Sequence, residues 1–86
     1  VDLRSLALAD APLSDAAEVN FTDLVREAGD IVAALGELRN VNVQCRADIP
    51  IVVRGDATRL KQVVLNLGDN AVRYTPAGGR VVIDLN

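Results

Sequence analysis

The sequence predicts an α/β fold of two layers, with helices packed on a partial mixed sheet. Apolar and polar residues alternate without error over residues 41–48, which is typical of a half-buried strand. Apolar residues recur every three or four positions over residues 23–39 and again over residues 59–75, which is typical of amphipathic helices. Because such strands and helices each have one apolar face, we expect them to bury those faces against each other.

The composition limits both the core and the possible partners. The 86 residues are half hydrophobic and fit one small domain or a piece of a larger one, yet only Phe21 and Tyr74 are aromatic. Nine basic and twelve acidic residues are interspersed, which argues against nucleic-acid binding. The chain has no histidine, which excludes His ligands and a phosphohistidine within it. Cys45 is the only cysteine, and its apolar strand face predicts a buried thiol.

The first half of the chain predicts a terminal helix, a strand and a long helix. Residues 1–10 are rich in Leu and Ala and predict a short helix, which Pro12 breaks. Residues 17–21 are a candidate strand, and Thr22 is a candidate N-cap for the helix over residues 23–39. The predicted core stripe of that helix consists of Leu24, Ala28, Ile31, Leu35 and Leu38.

The second half predicts two strands, a helix and a last strand. Residues 51–54 form a short strand that we expect to be the antiparallel neighbour of residues 41–48. Asp56 is a suitable N-cap for the next helix, and Pro76 followed by two glycines ends it. The side chains of the last strand, residues 80–85, that are expected to face inward are Val81, Ile83 and Leu85.

The helix over residues 59–75 has two predicted faces. The apolar face consists of Leu60, Val63, Val64, Leu67 and Ala71. The polar face consists of Gln62, Asn66, Asn70 and Arg73. Helix interiors disfavour Asn, so two of them on one face need an explanation. One explanation is that this face is simply hydrated. The other explanation is a ligand-binding face, where the amide oxygens coordinate a hard cation such as Mg²⁺ and Arg73 neutralises the charge of a phosphate. Spacing alone leaves both open.

The residues around these asparagines resemble a known motif. Residues 66–79, N-L-G-D-N-A-V-R-Y-T-P-A-G-G, are similar to the N box of sensor histidine kinases, which belong to the ATPase superfamily of DNA gyrase B. The preceding residues 55–65, G-D-A-T-R-L-K-Q-V-V-L, also match that family. One departure is Gly68, where the family usually has Leu. Glycine there is expected to soften the helix, since it costs about 1 kcal/mol relative to Ala.

The resemblance implies a role for each matching residue. Asn70 falls on the asparagine that binds Mg²⁺, and Asn66 on the one that lies close to the metal and the phosphates. Arg73 stands where kinases carry a cation toward the phosphates. Tyr74 stands where they have an aromatic residue near the nucleotide. The implied cofactors are therefore ATP and Mg²⁺.

The resemblance also implies a division of the chain and a parent activity. Residues 1–14 correspond to the end of a dimerisation and phosphotransfer helix and its linker. Residues 15–86 correspond to the N-terminal half of a Bergerat-type ATP-binding domain, an incomplete one, since the D-x-G-x-G motif that reads adenine is not in this sequence. The implied parent is a homodimeric, cytoplasmic kinase region that phosphorylates a histidine and passes the phosphate to a response regulator. The fragment alone is expected to be inactive.

Three alternatives stay open. The chain could belong to another kinase of the superfamily, such as an anti-sigma-factor kinase. It could be a non-catalytic module that self-associates through residues 81–85, because an incomplete sheet leaves a strand at its edge. It could also be a globular fragment whose polar helix face is merely hydrated. The substitution Asn70→Asp separates the first two classes, since only a catalytic role predicts lost activity in the intact kinase.

Overall fold

The computed structural model describes residues 17–85 of the chain. The predicted helix over residues 1–10 and its break at Pro12 lie outside the described residues. Six elements follow one another: β1 (Ala17–Asn20), α1 (Phe21–Leu38), β2 (Asn42–Ala47), β3 (Val52–Gly55), α2 (Ala57–Tyr74) and β4 (Arg80–Leu85). The predicted α/β class, two helices on a small partial sheet, is confirmed.

The strands pair differently from the prediction. β1 and β3 are antiparallel, with Ala17 opposite Gly55, whereas β2 and β4 are parallel, with Asn42 opposite Arg80. The prediction that β2 and β3 are antiparallel neighbours is wrong, because they belong to separate two-stranded sheets. β4 buries the three side chains predicted to face inward, which are Val81, Ile83 and Leu85. Self-association through this strand stays a prediction.

The segment between β2 and β3 crosses to the start of α1 instead of making a hairpin. The Thr22 hydroxyl donates to the carbonyl of Ile49 at 2.6 Å and accepts from the amide of Ile51 at 2.9 Å. The Arg26 guanidinium donates twice to the carbonyl of Ala47, at 3.1 and 2.7 Å. The buried Thr22 side chain therefore joins α1 to the segment before β3, and the prediction that Thr22 caps α1 is wrong. The N-cap is Asn20, whose side chain accepts from the amide of Asp23.

The buried face of α1 is rotated from the predicted stripe. Of the predicted core residues, Leu24 and Ala28 are buried, but Ile31 is 44% and Leu38 84% exposed. The helix instead buries the side chains and glycines that face the sheet and α2, which are Phe21, Thr22, Leu24, Val25, Ala28, Gly29, Val32 and Gly36. Phe21, Val25, Ala28 and Val32 are completely buried, so the buried face is centred on residues of which the predicted stripe included only Ala28.

The buried face of α2 is rotated in the same way. It consists of Leu60, Val64, Gly68 and Val72, at steps of four residues. Val63 and Leu67, predicted to be in the core, are 39% and 37% exposed, and Ala71 is only partly buried. Asp56 caps the helix as predicted, accepting from the amides of Thr58 and Arg59.

Two small residues lie close to α1. Gly68 is buried against Val32 of that helix, where a Cβ would clash, and the expected softening of α2 at this glycine stays a prediction. The prediction that Cys45 is buried is wrong, because this residue is exposed. Its sulfur nevertheless lies against α1, because a Cβ at Gly29 would be 2.9 Å from Sγ.

Candidate functional site

The side-chain amides of Asn66 and Asn70 lie one turn apart on the outer face of α2. Asn66 and Asn70 are both exposed, and no hydrogen bond among residues 17–85 engages either side chain. Four residues of helix separate their Cα atoms by about 6 Å along the axis. Each is about 160° around the helix from Gly68, the buried contact with α1. The amides therefore point away from the helix pair, and each presents a free carbonyl oxygen and a free NH2 group.

The cation predicted beside these amides has a partner on its own helix. The Arg73 guanidinium donates to the Asp69 carboxylate at 2.6 Å, with the two side chains 56% and 37% exposed. The hydrogen bond and the charge of Asp69 raise the pKa of Arg73. Asp69 is not among the site residues predicted from the sequence. The signal was present, because Asp and Arg four residues apart are neighbours on a helix surface.

An apolar strip runs beside the amides. Val63, Leu67 and Tyr74 lie on the adjoining side of α2, and Tyr74 is 85% exposed at the last helical residue. Val63 and Leu67 were assigned to the core by periodicity, so sequence analysis missed this strip. The outer face of α2 thus joins hydrogen-bonding groups to an apolar surface with an aromatic side chain. We call the set Val63, Asn66, Leu67, Asn70, Arg73 and Tyr74 the amide face.

The donor set of the amide face fits one kind of metal. Mg²⁺ prefers oxygen ligands and is usually held by one or two protein side chains, with phosphates and waters completing the octahedron. Asn66 and Asn70 supply two such oxygens. Within the part of the chain that the structure describes, no group of three or more His, Cys, Asp or Glu residues could hold a metal. The residues therefore fit a Mg²⁺ that arrives with a phosphate ligand, and not a cation caged by protein alone.

The six residues of the amide face are all exposed. A cavity of about 360 Å³ lies apart from them, at the turn after α2, near the end of α1. Its lining consists of Glu37, Asn40, Val41, Asn42, Gly78 and Gly79. It contains none of the predicted site residues. Gly78 has a φ of +89°, so it supplies the turn after α2, and the predicted end of that helix before Pro76 is confirmed. None of the helices within residues 17–85 is long and apolar enough to cross a membrane.

Several kinases are similar to this chain. A stretch of 51 residues is 41% identical to the adaptive-response sensory kinase SasA of Synechococcus sp. strain JA-2-3B'a(2-13), which is 56% of this chain and 14% of that kinase. The cytoplasmic segment of histidine kinase QseC matches 95% of this chain with a TM-score of 0.78 and 30% identity. The catalytic domain of histidine kinase ThkA matches 84% with a TM-score of 0.71 and 26% identity. No family model matches the chain.

These similarities cover only part of each relative. The chain spans 56% of the solved QseC segment and 51% of the solved ThkA domain. The match to the sensory kinase SasA covers 14% of that kinase. The matches therefore concern one segment of a larger catalytic unit.

Proposed function

Since the chain belongs to the sensor histidine kinases, as part of their catalytic domain, we propose that its amide face is the magnesium and phosphate side of an ATP site. The observation that supports this most is the pair Asn66 and Asn70, exposed, unengaged and one turn apart. A merely hydrated face needs no such pair, since helix interiors disfavour Asn. The proposal accounts for both the residue type and its placement.

Each residue of the amide face has a proposed task. The Asn70 carboxamide oxygen would coordinate Mg²⁺, and Asn66 would support the metal and the phosphates through its oxygen and its NH2 group. Arg73 would offset phosphate charge once it leaves Asp69, and Tyr74 would lie along the nucleotide. When bound, Mg²⁺ supplies charge neutralisation at the phosphates. The protein's share of such a reaction is positioning and preorganised charge, which rigid helix residues provide well.

The wider activity that we propose is that of a two-component kinase. Residues 15–86 would be the N-terminal half of its ATP-binding domain, and residues 1–14 would join it to a dimerisation helix. The phosphoacceptor cannot lie in this chain, which has no histidine. The homodimeric kinase would phosphorylate a histidine elsewhere and then a response regulator. The 86-residue chain alone would then bind ATP weakly and transfer no phosphate.

A matched pair of substitutions in the complete kinase tests the proposal. Asn70→Asp should reduce autophosphorylation by about 100-fold, since it removes the amide NH2 group and adds a charge beside the phosphates. Gln62→Glu makes the same chemical change two turns earlier on the same face of α2. It should leave the rate within about twofold, because eight residues of helix put it about 12 Å from Asn70, beyond a Debye length of about 8 Å at physiological salt. Equal rates for both variants would reject the site.

A further inference from the structure

We propose that Gly68 is a positioning residue that sets where Asn66 and Asn70 stand, a role that rests on the function proposed above. Gly68 is buried in the middle of α2, directly against Val32 of α1. A Cβ built at Gly68 would fall inside van der Waals contact with Cγ2 of Val32 and 3.0 Å from Cγ1. The two helices therefore approach more closely at this point than any other residue at position 68 allows.

Val32 has little freedom to make room for a larger neighbour. Its side chain is fully buried, with no solvent-exposed surface. It is β-branched, so in a helix it is held strongly to one χ1 rotamer. Protein interiors are close-packed, so a methyl group added to the core forces the neighbouring side chains or backbone to move. A side chain at position 68 would therefore displace α2 from α1 rather than push Val32 aside.

A shift of α2 at this point acts on the proposed site directly. Asn66 and Asn70 flank Gly68 in sequence and lie on the opposite side of the same helix. The ends of α2 are held separately, by the Asp56 cap at one end and by buried Val72 near the other. Displacement at the centre would therefore bow the helix and carry both amides outward together. Mg²⁺ demands near-ideal octahedral geometry, so such a shift weakens its coordination.

The close approach of α1 and α2 also explains why glycine is present at a helix position that disfavours it. Glycine is among the poorest residues in a helix interior, and Ala would be better for α2 considered alone. The close contact with Val32 removes that option. Gly68 of α2 has no side chain, and the branched side chain of Val32 of α1 fills the space beside it. This contact fixes the distance between the two helices.

Three variants of the complete kinase test the role of Gly68. Gly68→Ala should weaken Mg²⁺-dependent ATP binding by about tenfold, as is typical for residues that support metal ligands, while leaving kcat at saturating ATP less affected. The double variant Val32→Ala/Gly68→Ala vacates the space that the new methyl needs and should restore affinity to within about twofold. Val32→Ile enlarges the same contact from the other side and should reproduce the loss, which covers the case in which Gly68→Ala does not fold.

Gly29→Ala is the matched control. Its added Cβ would lie 2.9 Å from Sγ of Cys45, so it creates a similar conflict between α1 and β2, away from α2. At equal loss of unfolding midpoint, Gly29→Ala should keep ATP affinity near that of the wild type. The role of Gly68 is rejected if Gly68→Ala binds ATP normally, if both glycine variants lose affinity in proportion to their loss of stability, or if the double variant does not recover.

The Asn70→Asp variant in the same titration separates this inference from the proposed function. If Asn70→Asp loses affinity and Gly68→Ala does not, the site stands and the positioning role falls. If Asn70→Asp binds Mg²⁺ and ATP like the wild type, the proposed site itself fails, and the role of Gly68 fails with it.

Discussion

Arg73 donates to Asp69 at 2.6 Å across one turn of α2, so the cation next to the amide pair is already engaged by an anion. The hydrogen bond and the charge of Asp69 raise the pKa of the Arg73 guanidinium, which is charged at any working pH even without this partner. A phosphate that approaches Arg73 has to compete with the Asp69 carboxylate. If the amide face binds phosphate as proposed, Asp69 would lower its affinity by holding Arg73.

The first prediction concerns this competition. Asp69→Asn in the complete kinase should strengthen Mg–ATP binding by about threefold, because it frees Arg73 and removes a negative charge near the phosphates. Isothermal titration at low salt measures the change, which should shrink as salt is added. Glu27→Gln is the control, since it breaks a second exposed ion pair among residues 17–85, with Lys61 at 3.4 Å. Weaker binding by Asp69→Asn would show that Asp69 assists the ligand.

The second prediction concerns the bridge between α1 and the segment before β3. Thr22→Val keeps the shape of the side chain but leaves the carbonyl of Ile49 and the amide of Ile51 without their partner. The free energy of unfolding should fall by about 1–3 kcal/mol, as expected when part-buried polar groups lose a hydrogen bond. Urea denaturation measures it, with exposed Thr58→Val as the control. Similar stabilities for the two variants would mean that the bridge contributes nothing.

The third prediction concerns the start of α2. Asp56→Ala removes the carboxylate that accepts from the amides of Thr58 and Arg59, at 2.9 and 3.3 Å. Loss of such a cap should lower the free energy of unfolding by about 1 kcal/mol. Asp56→Asn keeps the acceptor and should recover most of that loss. Urea denaturation of the wild type and the two variants measures these differences. An Asp56→Ala variant as stable as the wild type would contradict the capping role.

The fourth prediction concerns the single thiol. Burial of its sulfur against α1, together with the charge of Asp30, raises the pKa of Cys45 above its ordinary value. The thiolate is the reactive form, so at pH 8 Cys45 should react with iodoacetamide more slowly than free cysteine. Alkylation rates followed by mass spectrometry from pH 7 to about pH 10 measure this. A rate above that of free cysteine would contradict the raised pKa.

The same shift has a consequence for stability. A thiol whose pKa is raised in the folded chain stabilises the fold below its unfolded pKa, which is about 8.5, and that contribution is lost as the pH rises through the folded value. The wild type should therefore lose more stability than Cys45→Ala above about pH 9. Parallel stability curves for the two proteins would show that the thiol does not titrate differently on folding.

Local signals in the sequence predicted much of the fold. Asp56 as a cap, the turn at Gly78 and the inward side chains of β4 all follow from nearest-neighbour chemistry, and all are confirmed. The exposure of the amide pair followed from helical spacing in the same way. The assignment of Asn66 and Asn70 to Mg²⁺ rested on resemblance and stays a prediction.

Where the structure differs from the predictions made from the sequence, the cause is tertiary packing. Periodicity favoured Val63 and Leu67 as core residues because both are apolar, but the close contact between Gly68 and Val32 turns a different side of α2 inward. Thr22 suited an N-cap by residue type, yet the nearby segment before β3 uses its hydroxyl. Pairing of β2 with β4 depends on residues far apart in the chain, which short-range patterns do not encode.

The role of the two asparagines can be seen directly in a crystal structure of the complete kinase with Mg²⁺ and a non-hydrolysable ATP analogue. We expect the Asn70 carboxamide oxygen to lie about 2.1 Å from the metal and the Asn66 side chain to contact the metal or a phosphate oxygen. A structure in which the nucleotide is bound while both side chains point into solvent would contradict it.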